Sequence, residues 1–144
     1  MITDETLIAA TIATEVPPFA VGTFTDDMIP KALTAVAECI RNRMAVGTFG
    51  GKTGRQVVLA PKQFSAVLRE EYWFKAVLGL WQPRHVEEAR KAWNVLTNPD
   101  GRVLWYYSPI SMVPKMAEPS WVRGLTEIPR PGIDRDYFRF YGRP

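Results

Sequence analysis

The sequence predicts a mainly α fold of the α+β kind across residues 1–144: a helical body, a small β element and a proline-rich C-terminal wrap. Three observations lead there. Apolar side chains recur at three- and four-residue spacings in several segments, the periodicity of helices with one buried face. A single run, RVLWYYS at 102–108, has the β-branched and aromatic content of a strand. Beyond it Pro109, Pro114, Pro119, Pro129, Pro131 and Pro144 rule out long regular elements, because each proline removes a backbone donor and fixes φ.

The elements follow in order. Thr3 or Asp4 is placed to cap a first helix running to about Glu15, with Leu7, Ile8, Thr11 and Ile12 on one face and Pro17-Pro18 ending it. Glu15 then falls in its last turn. An irregular stretch, PPFAVGTFTDDM, leads to Pro30, after which Leu33, Val36, Ala37, Ile40 and Met44 mark a strong second helix. GTFGGKTG has the glycine density of a loop. RQVVLA, β-branched and followed by Pro61, reads as a brief strand or extended segment, and the aromatic stretch from Gln63 to Trp81 reads as helical in part. PRHVEEARKAWNVL is a clear helix: Pro83 suits a first turn, Glu87 and Glu88 face Lys91 and Arg90 at helical spacings, and NPDG supplies turn chemistry after it.

A chain of 144 residues fits one domain with a real core, and the 47% apolar content with five Trp argues for a folded globule. With Cys39 as the lone cysteine there is no intramolecular disulfide, and with His85 as the lone histidine no His/Cys zinc cluster; no metal and no cofactor is expected. His85, among charged residues near a helix start, reads as a surface residue, and Cys39 as a small buried hydrophobe. The N-terminus opens with acids and its apolar stretch is short, so it reads as neither signal peptide nor membrane span. A net charge of +3 and a pI near 9.2 suit anionic envelope polymers and nucleic acid alike.

Glu15 sits among Ile12, Ala13, Val16 and Phe19, apolar neighbours of the kind that keep a carboxylic acid protonated for donation to a leaving group. The competing reading is a solvent-facing residue in a helix's last turn. Glycosidases that invert or retain in the usual way need a second carboxylate, and Asp26, Asp27, Glu38, Glu70 and Glu71 are available, none singled out by spacing.

The order of short strings gives these residues a context. LIAATIATE, then AVAECIRNRM, then QFSAV, LWYYSP, SW and a closing FRFY resemble the SleB-like cell wall hydrolases, named after a spore cortex-lytic enzyme. The resemblance implies a lysozyme-like helical domain that cleaves the glycan strand of peptidoglycan, with Glu15 as the catalytic acid. Asn42-Arg43, Gln63-Phe64, Tyr106-Tyr107 and Phe140-Tyr141 match further family elements. Two departures stand out: VPPFAVGTFTDD replaces the family's usual EA-x-GE string after the first Glu, and Phe138 stands where a histidine often precedes the closing Phe-Tyr.

What the resemblance implies can be stated residue by residue. Glu15 acts first as acid and then as base, a one-glutamate scheme that leads to a lytic transglycosylase; the other outcome is a muramidase cleaving the same MurNAc-GlcNAc bond. Gln63, Phe64, Tyr106, Tyr107 and Trp121 bind the sugar, with Trp105 a further aromatic platform. If residues 105–107 form a strand, Tyr106 and Tyr107 point to opposite faces, so at most one is expected in the cleft. Asn42 and Arg43 either bridge to the catalytic segment or serve the helix end, where the dipole favours a cation. The resemblance implies peptidoglycan strands as partner and action in the periplasm or cell wall; because the N-terminus reads as no signal peptide, delivery by a phage is expected, as endolysin or virion lysin, with phage tail proteins as further partners. Two other classes stay open. One is a non-catalytic virion or tail protein that keeps the fold and binds glycan or partner subunits. The other is a nucleic-acid module drawing on Arg123, Arg130, Arg135, Arg139 and Arg143, which lacks any recognition signature and ranks last.

Overall fold

The computed structural model describes residues 2–60, 70–96 and 100–144, Glu70 by its backbone only. Among these residues the chain forms five α-helices and a three-stranded antiparallel sheet, the mainly α arrangement expected. The helices are α1 (Asp4–Glu15), α2 (Met28–Val46), α3 (Gly54–Leu59), α4 (Glu70–Val77) and α5 (Pro83–Asn94).

Helix α1 is the axis of the fold. Its seven consecutive residues Leu7, Ile8, Ala9, Ala10, Thr11, Ile12 and Ala13 are all buried, so it is apolar all round where one wet face was expected. The alanines make this possible, since their small side chains let α2, α3, α4 and α5 approach it from different sides. Thr3 caps its start, accepting from the backbone N–H of Thr6. The one polar side chain in the buried run is satisfied: the Thr11 hydroxyl donates to Leu7 O at 2.8 Å and accepts the Trp73 indole N–H at 3.0 Å, which pins α4 to α1.

Residues 54–59 form a helix, not the strand predicted from RQVVLA. A capping box explains it: the Thr53 side chain accepts from the Gln56 N–H while the Gln56 side chain reaches back to the Thr53 N–H, and this local pairing outweighs the weak β preference of Val57 and Val58. Gly54 is the point of closest approach to α1, because a Cβ there would lie 2.2 Å from Ile8 Cδ1. Helix α5 begins at Pro83 and pairs the expected four charges three residues apart, Glu87 with Arg90 at 3.3 Å and Glu88 with Lys91 at 3.4 Å, rather than Glu87 with Lys91 and Glu88 with Arg90.

The sheet has the order β1-β3-β2, from β1 (Trp105–Tyr107), β2 (Thr126–Glu127) and β3 (Arg139–Gly142). Only β1 was anticipated. Tyr106 pairs with Phe140, and Trp105 with Tyr141. Alternation therefore splits the aromatic residues between two faces. Tyr106 and Phe140 join Phe138 and Phe24 in the main core against the helices, whereas Tyr107 and Tyr141 form a second, smaller cluster with Val122, Trp105, Met112 and Leu125.

Asn42 and Arg43, buried at the end of α2, join helices to sheet. The Asn42 amide donates to Asp100 O and to Val103 O, and Arg43 Nε donates to Leu104 O at 2.7 Å. Three carbonyls on the approach to β1 are met by two side chains, so the helix end fixes where the strand runs. Glu38, one turn earlier, pairs with Arg130 at 2.6 Å and draws the C-terminal wrap onto the same helix.

Candidate active site

Between the end of α1 and the sheet lies a cleft of about 1010 Å³. One wall is the last turn of α1 and the chain after it, Thr14 to Pro18 with Val21; Trp81 extends it. The other is β1 with the segment that follows, including Ser108, Ile110 and Met112, and then Pro119 and Trp121. Arg43, Tyr137 and Phe138 complete the lining. Of the predicted site residues, Glu15, Tyr106, Tyr107 and Trp121 all border this one cleft. Gln63 and Phe64 lie outside the described residues.

Glu15 is half-buried and is the single carboxylate among the described residues that line the cleft. Three groups share its surroundings. Tyr106 turns its hydroxyl, itself buried, toward the Glu15 carboxylate; burial first, and then the charge of Glu15, push this phenol well above its ordinary pKa, so it remains a donor. Arg43 reaches the cleft from α2, 4% exposed, with its guanidinium 4.7 Å from the Phe49 ring. Cys39, fully buried one turn before Arg43, has its thiol pushed up by burial, with Arg43 opposing the shift and Glu15 reinforcing it. Carboxylate, cation and phenol thus lie close enough to act on common neighbours in a poorly hydrated corner, where electrostatic interactions are stronger than in water.

The backbone under Glu15 is held by a residue the sequence misplaced. His85 is buried, not on the surface, and its Nε2 lies 2.9 Å from both Ala13 O and Val16 O. Both partners are acceptors, so Nε2 carries the hydrogen and donates to them. A helix leaves its last carbonyls without intrahelical partners, and here one imidazole supplies the donor on either side of Glu15. The signal was present: His85, Ala89 and Trp93 are four residues apart, on one helical face, and the charged neighbours obscured it.

Tyr106 and Tyr107 do project to opposite faces, yet both border the cleft, contrary to the expectation that only one would. The cleft runs past the edge of β1, so it touches the main core through Tyr106 and the smaller aromatic cluster through Tyr107. In that cluster Trp121 meets Tyr107 and Tyr141 edge-on, each at 5.8 Å and 89°, and keeps 40% of its surface exposed. Tyr141 is pushed up to about 12, first by burial and then by its hydrogen bond with Tyr107. Trp105 packs edge-on to Phe49 at 5.4 Å, with Arg143 over its ring at 5.9 Å. Phe138 stacks on Phe140 at 6.1 Å and packs against Tyr106, so the position that departs from the family pattern is filled by apolar contact.

Among the described residues no group of three His, Cys, Asp or Glu side chains is placed to hold a metal ion, and no helix is long and apolar enough to cross a membrane. In comparison with known proteins, the model of one family, described as Cell Wall Hydrolase, matches residues 30–132. No curated protein and no solved structure matches. The matched stretch includes Arg43, Tyr106, Tyr107 and Trp121 and begins after Glu15.

Proposed function

The chain belongs to the cell wall hydrolase family, which supports degradation of peptidoglycan, and from that premise we propose that it cuts MurNAc-GlcNAc bonds as a lytic transglycosylase with Glu15 as its catalytic residue. One observation carries the mechanism. Among the described residues one carboxylate lines the cleft, and the side chains not described add a single further acid to the candidates, Glu70.

Glycosidases that use two carboxylates hold them about 5 to 10 Å apart across the scissile bond. Glu38 is occupied by Arg130 at 2.6 Å, Glu71 by Lys75 at 3.2 Å, and Asp27 by Thr25; none of them lines the cleft, nor does Asp26. A one-glutamate scheme needs no partner. Glu15 protonates the bridging oxygen as the glycosidic bond breaks, and the C6 hydroxyl of the same muramoyl sugar attacks its anomeric carbon. That hydroxyl returns a proton to Glu15, closing a 1,6-anhydro ring and restoring the acid. General acid-base catalysis of this kind contributes about 10²- to 10⁴-fold.

The surroundings of Glu15 suit that cycle. The Tyr106 hydroxyl fixes the carboxylate's orientation and stays protonated throughout; Arg43 brings positive charge to the cleft wall; His85 holds the backbone on both sides. Trp121 and Tyr107 offer aromatic surface to a sugar ring, and Gln63 and Phe64, which match the family's pattern, are further substrate contacts.

The test is mass spectrometry of the soluble fragments released from purified sacculi by the wild type and by Glu15→Gln. Anhydro-muropeptides from the wild type alone are expected. Reducing-end muropeptides would replace the transglycosylase with a hydrolase that has a second carboxylate, and equal release by Glu15→Gln would remove Glu15 from the chemistry.

A further inference from the structure

A second depression, of about 380 Å³, adjoins the cleft. Pro18 borders both, and at the next boundary Trp81 faces the cleft while Gln82 faces the depression. Its character differs from the cleft's. The floor is apolar, built from Ile29 and Leu33 of α2 together with Phe19 and Val95, which are 63% and 71% exposed.

His85, Glu88 and Lys91 on its lining are committed to partners, whereas Gln82 and Arg84 are available among the described residues. Gln82 takes a left-handed backbone conformation, φ 41° and ψ 58°, rare for a residue other than glycine, and its side chain forms no capping bond to the helix it precedes. Arg84 makes no ion pair among the described residues, because the neighbouring acids Glu87 and Glu88 are taken by Arg90 and Lys91. An apolar floor and, among the described residues, an amide and a guanidinium without side-chain partners together match a short peptide that carries small apolar side chains and a carboxylate.

We propose that this depression binds the stem peptide of the peptidoglycan strand, with Arg84 taking a stem carboxylate and Gln82 pairing with a peptide bond. The proposal rests on the reading of the cleft as a glycan site. A muramoyl ring held near Glu15 carries its peptide on a lactyl arm, an extended four-residue stem reaches about 13 Å, and Pro18, which borders both hollows, is three residues from Glu15. The methyl groups of the first and last Ala meet the Phe19, Leu33 and Val95 surface, and the α-carboxylate of the γ-linked Glu meets Arg84.

The first experiment titrates the isotope-labelled protein with the free tetrapeptide L-Ala–γ-D-Glu–diaminopimelate–D-Ala and follows backbone amide shifts. Saturable shifts at Leu33, Gln82 and Arg84 are expected, with affinity reduced about fivefold in Arg84→Glu, the size of a partly exposed charge contact. That variant keeps its fold because an acid in a helix's first turn is favoured. Shifts absent from the depression, or affinity unaltered by Arg84→Glu, overturn the site. A parallel cleavage assay compares strands bearing stems with strands stripped by an amidase, the wild type preferring the former and Arg84→Glu losing that preference. Tetrapeptide binding without cleavage of either strand keeps this site and defeats the transglycosylase reading. Equal cleavage of both strands without tetrapeptide binding does the reverse.

Discussion

Replacing His85 with Phe keeps a ring of similar size in the same buried place and removes only the N–H that Ala13 O and Val16 O share. Ala13 and Val16 are 0% and 1% exposed, so water has little access to replace the donor. A buried acceptor left unmet costs about 1–3 kcal/mol, and because one N–H is divided between the two carbonyls the sum falls near 2 kcal/mol. In a domain of 144 residues this lowers the melting temperature by about 7 °C. The effect on turnover is expected to exceed the effect on folding. Glu15 lies between the two clamped carbonyls, and a displacement of about 1 Å at a reacting group costs about 100-fold in rate. The assay is release of soluble muropeptides from sacculi well below the melting temperature of every variant, normalised to folded protein, alongside thermal melts. His85→Gln is the control, since its side-chain amide can present an N–H at a similar reach and should recover most of the rate. If His85→Phe loses the predicted stability but cuts at the wild-type rate, the clamp does not position Glu15, and the reasoning fails.

Further outcomes follow from the same geometry. Tyr106→Phe should lower kcat about tenfold with KM nearly unchanged, the value of one hydrogen bond to a charged group; a rise in KM alone would move Tyr106 from orienting the carboxylate to binding sugar. Trp121→Ala should raise KM about two- to tenfold without altering kcat, because loss of ring stacking is worth about 0.5–1.5 kcal/mol; saturation binding of chitooligosaccharide measures the same loss directly. Glu38→Gln should destabilise by about 3 kcal/mol in urea titration, since it leaves Arg130, only 20% exposed, without its countercharge. Acid should destabilise the wild type as well. Glu127 is held below the usual carboxylate range by its hydrogen bonds from Arg135, and Asp134 by Thr23. Groups with depressed folded pKa values contribute stability above their unfolded values, near pH 4, and lose it as pH falls through the folded ones. Melting temperature should therefore be flat above about pH 5 and drop below about pH 4, with a shallower drop in Glu127→Gln.

The elements that were legible in the sequence are those whose cause is local. The first helix ends where Pro17-Pro18 ends it, the last begins at Pro83, and Cys39 is buried because the helical spacing around it is apolar. The capping box at Thr53 and Gln56 was equally local, and two adjacent valines diverted the reading. Strands β2 and β3 could not be read the same way: β3 exists through pairing with β1 and β2 through pairing with β3, and a two-residue strand has no periodicity of its own. The site divides along the same line. Its residue types and order were visible, whereas the donation from His85 to Ala13 and Val16 joins positions some seventy residues apart.

That division bears on how far the family match reaches. It covers 30–132 and begins after Glu15, so sequence comparison does not include the residue to which the chemistry is assigned. Two matched residues bridge the gap. Arg43 ties α2 to Leu104 and lines the cleft, and Tyr106, two residues beyond Leu104, turns its hydroxyl to Glu15. A third matched residue, His85, bonds to the backbone on both sides of Glu15. The segment around Glu15 receives a phenol, an imidazole and a nearby guanidinium from three separate elements; the imidazole also meets helix-end carbonyls that a buried helix must satisfy, and Arg43 also holds Leu104 O. Such convergence on one acid at the edge of a cleft is the expected outcome when the acid must be held in one orientation, and it links the unmatched N-terminal helix to the matched body of a cell wall hydrolase.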